Sequence, residues 1–394
     1  MYTEIKNCLC CNNAELVLAL DLNEQPLANS YLKSKNDTEE VFPLGINFCP
    51  KCTHVQLTNA VDPDKLFKHY LYVSGTTKTL KEYFDWFVDF CSNYFTTFYN
   101  KNVLDIACND GSQLDSFKRR GHNTFGIDPA ENLYHLSSSK HNVVCEYLTD
   151  ESIKRFNTNF DVIIAQNVFA HNTYPKQFLE ISKKYLNEGG RIFIQTSQSD
   201  MIKNNQFDTI YHEHISFFSV KSISILAKSV GLNLIDVQRT SIHGTSFVFV
   251  LSKDEKDKTD ELIQSEIELN CEIMNKYSEN CRNISKNTYL KISELREQGY
   301  KIIGYGAAAK GNTFLNFSKI ILDYIVDDNE MKQGLYTPGS KIPIFSPDKL
   351  STESGKICIV PLSWNFFEEI KKKVSKKGLN SYIFLKYFPY LEIL

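Results

Sequence analysis

The sequence predicts an α/β protein built from a small cysteine-rich module followed by two open, mostly parallel sheets. Three observations predict it. Five of the 11 cysteines lie in the first 52 residues, and four of these form paired C-x-x-C turns. The middle of the chain alternates short apolar strands with helical patterns, and the strands end in turns of small or acidic residues. Near residue 300 a strand again runs into a glycine turn.

A chain of 394 residues is long enough for two or three domains. Hydrophobic residues make up 42% and charged residues 23%, an ordinary globular balance that excludes disorder. The charge sum, 44 minus 47, is −3, so no global pull draws the chain to nucleic acid. No stretch approaches the roughly 18 apolar residues of a transmembrane helix. Met1 to Lys6 leads into cysteines rather than an apolar run, so no signal peptide is read and a cytoplasmic location is expected. In a reducing compartment, cysteines serve as metal ligands or core thiols rather than disulfides.

The cysteine pairs come first. Cys8 and Cys11 form one C-x-x-C turn, and Cys49 and Cys52 form the second. Two such turns close a tetrahedral four-sulfur shell that suits Zn²⁺. The chain between them, through Pro26 and Pro43, must fold back to join them, and Cys10 stands by in the first turn. A closed shell leaves no open coordination position, so the zinc is expected to be structural. This module is expected over residues 1–68.

Residues 69–254 read as a ligand-binding α/β domain. Asn102 to Ile106 is an apolar strand, and Ala107-Cys108-Asn109-Asp110-Gly111 is a small-residue turn with a helical pattern after it. Such a turn offers backbone N–H groups to a ligand at the carboxyl end of the strand. Thr124 to Pro129 is the next strand tip and carries Asp128, an acid placed to hold ribose hydroxyls. Asp161 to Gln166 and Arg191 to Ile194 supply further strands. The pattern resembles class I S-adenosylmethionine-dependent methyltransferases. That resemblance implies a Rossmann-like sheet and assigns Asp105, Ala107, Asn109, Gly111, Asp128, Gln166 and Asn167 to the cofactor. The sequence departs from the family's glycine-rich form, because Ala107 and Asn109 stand where glycines are common.

The densest chemistry is Phe207 to Phe218, with Tyr211-His212-Glu213-His214 contiguous. In an extended segment Tyr211 and Glu213 share one face and the two histidines the other, whereas in an irregular loop all four can converge. The spacing is not H-E-x-x-H, which disfavours a zincin helix. Together with the cysteine pairs, Leu27-Ala28-Asn29, Val55-Gln56-Leu57, Tyr70 to Ser74, Asn109-Asp110-Gly111, Asn167 to His171 and Gly304 to Thr313, this block resembles the sugar C-methyltransferases of deoxysugar pathways. The resemblance spans nearly the whole chain. It implies methylation of a keto-sugar carried on a nucleoside diphosphate, at the carbon beside a 4-keto group. It makes His214 the general base, gives Glu213 an orienting role, and sets Tyr211 and Tyr72 on sugar or enolate oxygens. His171, after the third strand, is the second candidate base, and His243 is a weaker third, placed near the substrate.

Residues 255–394 form the last domain. The stretch from 255 to 300 is helical in character, and Lys253 to Lys258 reads as a solvated connection. Tyr300 to Ala309 is a strand entering a G-x-G-x-x-A turn, and Asp327 lies 21 residues past Gly306. By mechanism alone this is a dinucleotide fingerprint, so an NAD(P)-dependent oxidoreductase is the rival reading. The resemblance instead places Gly304, Gly306, Lys310 and Asn312 on the sugar nucleotide, with Lys310 against phosphate. A non-catalytic zinc-bearing scaffold is the third reading. No nucleic-acid or membrane partner is expected.

Overall fold

The computed structural model describes residues 1–67, 74–76, 78–196, 201–242, 246–379 and 381–394. Its N-terminal strands are β1 (Tyr2–Glu4), β2 (Val17–Pro26), β3 (Val41–Phe48), β4 (Val55–Leu57) and β5 (Asn59–Val61). β1 pairs with β5, while β2, β3 and β4 form an antiparallel sheet.

The central sheet begins with β6 (Asn102–Ile106), β7 (Asn123–Ile127), β8 (Asn142–Val144), β9 (Phe160–Gln166) and β10 (Leu186–Thr196), all parallel to their neighbours in this set. Next in sequence, β11 (Ser216–Phe217) leaves this sheet and joins β4. β12 (Asn233–Thr240) and β13 (Ser246–Ser252) then complete it in the order β12-β13-β10-β9-β6-β7-β8, with β13 antiparallel. The strands are apolar along their length because helices cover both faces. In β9, Ile163 and Ala165 join one core cluster while Val162 and Ile164 join the other. The helix Lys78–Ser92 packs on one side, and Pro175–Lys184 and Val220–Ser229 pack on the other.

The C-terminal sheet holds β14 (Lys301–Tyr305), β15 (Tyr324–Val326), β16 (Ile344–Phe345), β17 (Ile357–Pro361), β18 (Tyr382–Lys386) and β19 (Glu392–Ile393). Its order is β16-β15-β14-β17-β18-β19, parallel except at β19. Both large sheets reverse strand order beside the strand that carries the glycine turn. The reversal falls between β6 and β9 in one and between β14 and β17 in the other, and ligands bind at the carboxyl edge of such points.

The stretch after residue 255 is helical as expected: a short helix, Thr259–Leu262, and then a 27-residue helix, Cys271–Glu297. The charged run Lys253 to Lys258 is pinned rather than merely solvated. Asp254 accepts from the Gly189 N–H at 2.7 Å, Glu255 pairs with Arg191, and the Lys258 N–H donates to the Leu234 carbonyl at 2.9 Å. These ties hold the turn at Gly189–Gly190 to the end of β13.

One apolar cluster joins the N-terminal and C-terminal sheets through the segment around the dense motif. It takes Leu44, Ile46 and Phe48 from the first, Phe207, Ile210, Ile215 and Phe217 from the segment around the dense motif, and Phe314 and Leu362 from the third. Phe207 lies 5.2 Å from Phe317, 5.6 Å from Phe388 and 6.0 Å from Phe314 between ring centroids. Phe207→Ala is expected to cost about 3–5 kcal/mol, because a fully enclosed aromatic ring leaves a cavity. Chemical denaturation checks this: the transition should move to lower denaturant, and an unmoved midpoint would contradict the packing.

Candidate active site

Each cysteine pair makes the same turn. The Asn12 N–H donates to the Cys8 carbonyl and the Thr53 N–H to the Cys49 carbonyl, both at 2.8 Å. Asn12 and Thr53 both sit at positive φ, which lets each turn fold its two sulfurs to one side. The Sγ atoms of Cys8 and Cys52 are 3.4 Å apart, those of Cys11 and Cys49 are 3.6 Å apart, and all four ligand atoms lie within 4.8 Å of one another. A Zn–S bond of about 2.3 Å puts tetrahedral sulfurs about 3.8 Å apart, so this donor set fits zinc. The four cysteines hold the structural zinc; Cys10 is buried outside the set.

The zinc turns also fix a catalytic-looking segment. β4 begins three residues past Cys52 and pairs with β11, Val55 opposite Phe217 and Gln56 opposite Ser216. The Leu57 N–H donates to the Ile215 carbonyl at 2.8 Å. Buried His54 reaches the Ser216 hydroxyl at 3.2 Å. The dense motif therefore enters the zinc module's sheet directly after His214.

At the carboxyl end of β6 the turn adopts left-handed backbone at Ala107 (φ 63°), Asn109 (φ 51°) and Gly111 (φ 80°). The missing glycines thus do not abolish the glycine-type turn. Asn tolerates this region, and Ala107 accepts a strain of about 1–2 kcal/mol. Asp128 accepts from the N–H groups of Asn109 and Ala130, each at 2.8 Å, and this fastens the turn to β7. Each carboxylate oxygen retains a further lone pair for a hydroxyl. Asp105 is buried, and its carboxyl is pushed well up by burial and then by the charges of Asp128 and Asp110. A concentration of carboxylates short of positive charge fits a cationic donor such as S-adenosylmethionine. The Ser74 N–H donates to Asn109 and the Gly75 N–H to Asp110, both at 3.0 Å, laying that segment across the turn. Gln166 donates to Gln113 at 3.0 Å, and Asn167, at φ 54°, presents a buried side-chain oxygen with no hydrogen-bond partner among the described residues.

The dense motif is a tight turn rather than a strand, with the His214 N–H donating to the Tyr211 carbonyl at 2.8 Å. The turn brings Tyr211 and His214 together and separates the rest. The His214 Nδ1 lies 2.7 Å from the Thr209 carbonyl, which can only accept, so Nδ1 carries the proton. Nε2 is then the acceptor, 2.8 Å from the Tyr211 hydroxyl. His171, in the turn after β9, lies beside His214 with ring centroids 5.2 Å apart and stacks on Phe67. Its Nε2 is buried without a hydrogen-bond partner among the described residues, and burial pushes its pKa down to about 4. Glu213 turns the other way and accepts from the Asn29 amide at 2.7 Å. His212 departs from the group, its ring edge-on to Phe42 and its pKa pushed by burial to about 4. Tyr72 and His243 lie outside the described residues.

In the C-terminal sheet, Gly304 is buried within β14, and Gly306 (φ 90°) makes the turn. A Cβ at Gly306 would lie 2.3 Å from the Ser363 hydroxyl, so no other residue fits. Protein groups occupy much of this turn. The Ala307 N–H donates to Asp327 at 2.6 Å, while Tyr31 and Lys332 both donate to the Ala307 carbonyl, at 2.5 and 2.7 Å. Asp327 thus repeats the role of Asp128. Lys310 lies 4.9 Å over the Trp364 ring, and burial lowers its pKa against the attraction of the Asp208 charge. Asn312, expected on substrate, is fully buried and donates to the Ala28 carbonyl at 2.7 Å. Its amide ties the third sheet to the loop that carries Asn29.

Asn29, Tyr31, Asp208 and Trp364 were given no role by sequence reasoning. Asn29 and Asp208 both lie inside quoted motifs, so their place there was the available signal. Nothing local marks Tyr31 or Trp364, because their partners are far away in sequence.

Known proteins share this arrangement in order. Family profiles match a putative zinc-binding domain over 8–67, a methyltransferase domain over 77–237 and a C-methyltransferase C-terminal domain over 241–389. The C-methyltransferase NovU of Streptomyces niveus is 27% identical over 385 residues, covering 93% of this chain and 91% of its own. A ubiquinone biosynthesis O-methyltransferase of Idiomarina loihiensis is 26% identical over 171 residues, covering 39% of this chain and 68% of its own. Among solved structures, the PH0226 protein of Pyrococcus horikoshii OT3 aligns over 48% of this chain and 97% of its own, with 13% identity and a TM-score of 0.38.

Sheet order, donor turn and zinc module define an S-adenosylmethionine-dependent methyltransferase with a structural zinc. The chain carries a C-methyltransferase C-terminal domain after the methyltransferase domain and is similar along nearly its whole length to a C-methyltransferase.

Two expectations follow. Metal analysis of the purified chain should find about one zinc per chain, and Cys52→Ser should lose both the metal and most activity. A zinc-free, fully active protein would contradict the four-sulfur site. His171 and His212 both bind protons less readily folded than unfolded, with folded pKa values of about 4 against an ordinary value of about 6.5. Their contribution to stability is therefore full above pH 6.5 and is lost as pH falls toward 4. Denaturation midpoints should drop across that window, and less steeply in His171→Gln.

Proposed function

We propose that the chain methylates the carbon beside the ketone of a nucleoside-diphosphate-linked 4-keto-deoxysugar, at C-3, with His214 as the base. The observation that carries this reading is the Tyr211–His214 pair. With the proton fixed on Nδ1 by a carbonyl, Nε2 carries the lone pair, which accepts from the Tyr211 hydroxyl and can take a proton when that hydrogen turns away. The pair sits beside His171, which follows the carboxyl end of β9 next to the donor turn of β6.

The chemistry runs through this chain's side chains. His214 Nε2 takes the proton alpha to the ketone, and the C–H electron pair becomes the enolate. As Nε2 becomes protonated, the Tyr211 hydroxyl is freed to turn its hydrogen toward the enolate oxygen, which stabilises the developing charge. S-adenosylmethionine, when bound, supplies an electrophilic methyl for the enolate carbon. Asp105, Ala107, Asn109, Gly111, Asp128, Gln166 and Asn167 would hold it, with Asp128 on the ribose. His171, whose pKa burial lowers to about 4, lies beside His214. Glu213, oriented by Asn29, is placed for a sugar hydroxyl, and Tyr72 and His243 complete the set by resemblance.

The division of labour follows the sheets. Residues 1–68 carry the zinc, 69–254 the donor site and base, and 255–394 the nucleotide end of the substrate, with Lys310 against phosphate. The matched methyltransferase and C-methyltransferase C-terminal domains favour methyl transfer over the oxidoreductase reading. A soluble enzyme fits the described residues, among which no helix is long and apolar enough to cross a membrane.

A panel of nucleotide-linked keto-sugars incubated with labelled S-adenosylmethionine tests the reading. Mass increase by a methyl group and a new carbon–carbon bond in the product are expected. A methyl found on oxygen or nitrogen would overturn it. His214→Ala should lower turnover by at least about 100-fold while leaving S-adenosylhomocysteine binding intact. Asn29→Ala should raise KM for the sugar nucleotide several-fold, with a smaller change in kcat.

A further inference from the structure

We infer that Asp208, held by the Trp364 indole from the C-terminal sheet, is a positioning residue for His214. The inference rests on the reading of His214 as base. Asp208 sits in the turn Phe207–Thr209, one residue before the carbonyl that holds the His214 Nδ1 proton. The carboxylate is fully buried, an environment that normally receives an apolar side chain. Its Oδ2 accepts from the Trp364 indole N–H at 2.6 Å, and Trp364 follows β17 at the strand reversal of the third sheet. Its Oδ1 is buried with no hydrogen-bond partner among the described residues. Burial pushes the Asp208 carboxyl up to about 6, against the opposing charge of Lys310.

Lys310 lies in the first turn of the helix Ala309–Ser318, whose ring at Phe314 packs on Phe207. The turn that orients the base is thus gripped from the crevice where an open α/β sheet ordinarily takes a ligand. A carboxylate suits this place better than an apolar group because the indole N–H holds it in one direction. A rigid Asp208 fixes the Thr209 carbonyl, and that carbonyl selects the Nδ1–H tautomer that leaves Nε2 unprotonated. The third sheet therefore reaches the reaction through the base as well as through the substrate's nucleotide.

Trp364→Phe removes only the indole hydrogen bond and keeps the ring. Asp208→Ala removes the clasp, and Asp208→Asn restores an acceptor for Trp364 without the charge. The experiment labels histidine nitrogens in the full chain and reads the His214 tautomer by NMR, assigned with His214→Gln, alongside steady-state kinetics. The wild type should show Nδ1–H. Trp364→Phe should mix the tautomers and lower kcat on the order of tenfold with KM for S-adenosylmethionine unchanged. Asp208→Asn should recover most of what Asp208→Ala loses, and the Asp208→Ala/Trp364→Phe pair should be no worse than Asp208→Ala alone. An unchanged tautomer and kcat in Trp364→Phe, or equal loss in Asp208→Asn and Asp208→Ala, would overturn the inference. Full turnover by His214→Gln would instead overturn the base assignment, while the tautomer readout still decides what Asp208 does.

Discussion

The pairing of β4 with β11 is the constraint on which the site depends. β11 is only two residues long, Ser216 and Phe217, and lies in the stretch that otherwise builds the central sheet. It nevertheless hydrogen-bonds to the N-terminal sheet, immediately after a cysteine turn on one side and immediately after His214 on the other. So short a strand has little pairing energy of its own. Its position is set by the neighbours of its partner: the zinc turn that begins β4 and the apolar cluster beneath. This gives a structural metal a chemical consequence, since fixing four sulfurs fixes the backbone that carries the imidazole.

The same segment is held from the opposite side. Phe207 sits among rings from the third sheet, and Asp208 accepts from Trp364. Asn312 grips the Ala28 carbonyl, and the next residue, Asn29, grips Glu213. Residues from the N-terminal and C-terminal parts therefore converge on the turn from Phe207 to His214. A base that must strip a weakly acidic C–H needs little freedom to reorient, and anchoring from both sides supplies that rigidity to the proposed base, His214. The central sheet contributes the turn after β6, and the other two hold His214.

Much of this was legible from local patterns. Paired C-x-x-C turns carry their own geometry, and apolar strands ending in small or acidic turns announce an open parallel sheet. Asp128 was singled out by its place at a strand tip, and Asp105 by the family resemblance. The left-handed backbone at Ala107 and Asn109 was not, because glycine is the usual signal and neither residue is glycine. The Tyr211 to His214 block was found by density, but its turn was hidden: alternation allowed a strand, and only the structure separates His212 from His214. Long-range partners stayed out of reach for a plain reason. Asn29 with Glu213, and Asp208 with Trp364, are joined across more than 150 residues, as 184 and 156 positions. Asn312 was read as a substrate group because it follows a glycine turn; burial against Ala28 gives it another task.

Proton exchange at the substrate's alpha carbon tests the central claim most directly. A nucleotide-linked 4-keto-deoxysugar is held in D₂O with the enzyme and S-adenosylhomocysteine, so that no methyl can move, and the alpha proton is followed by NMR. Loss of that proton with the wild type, and its retention with His214→Gln, is the predicted result. Equal exchange with both proteins would contradict an account in which the N-terminal and C-terminal sheets hold His214 as the base.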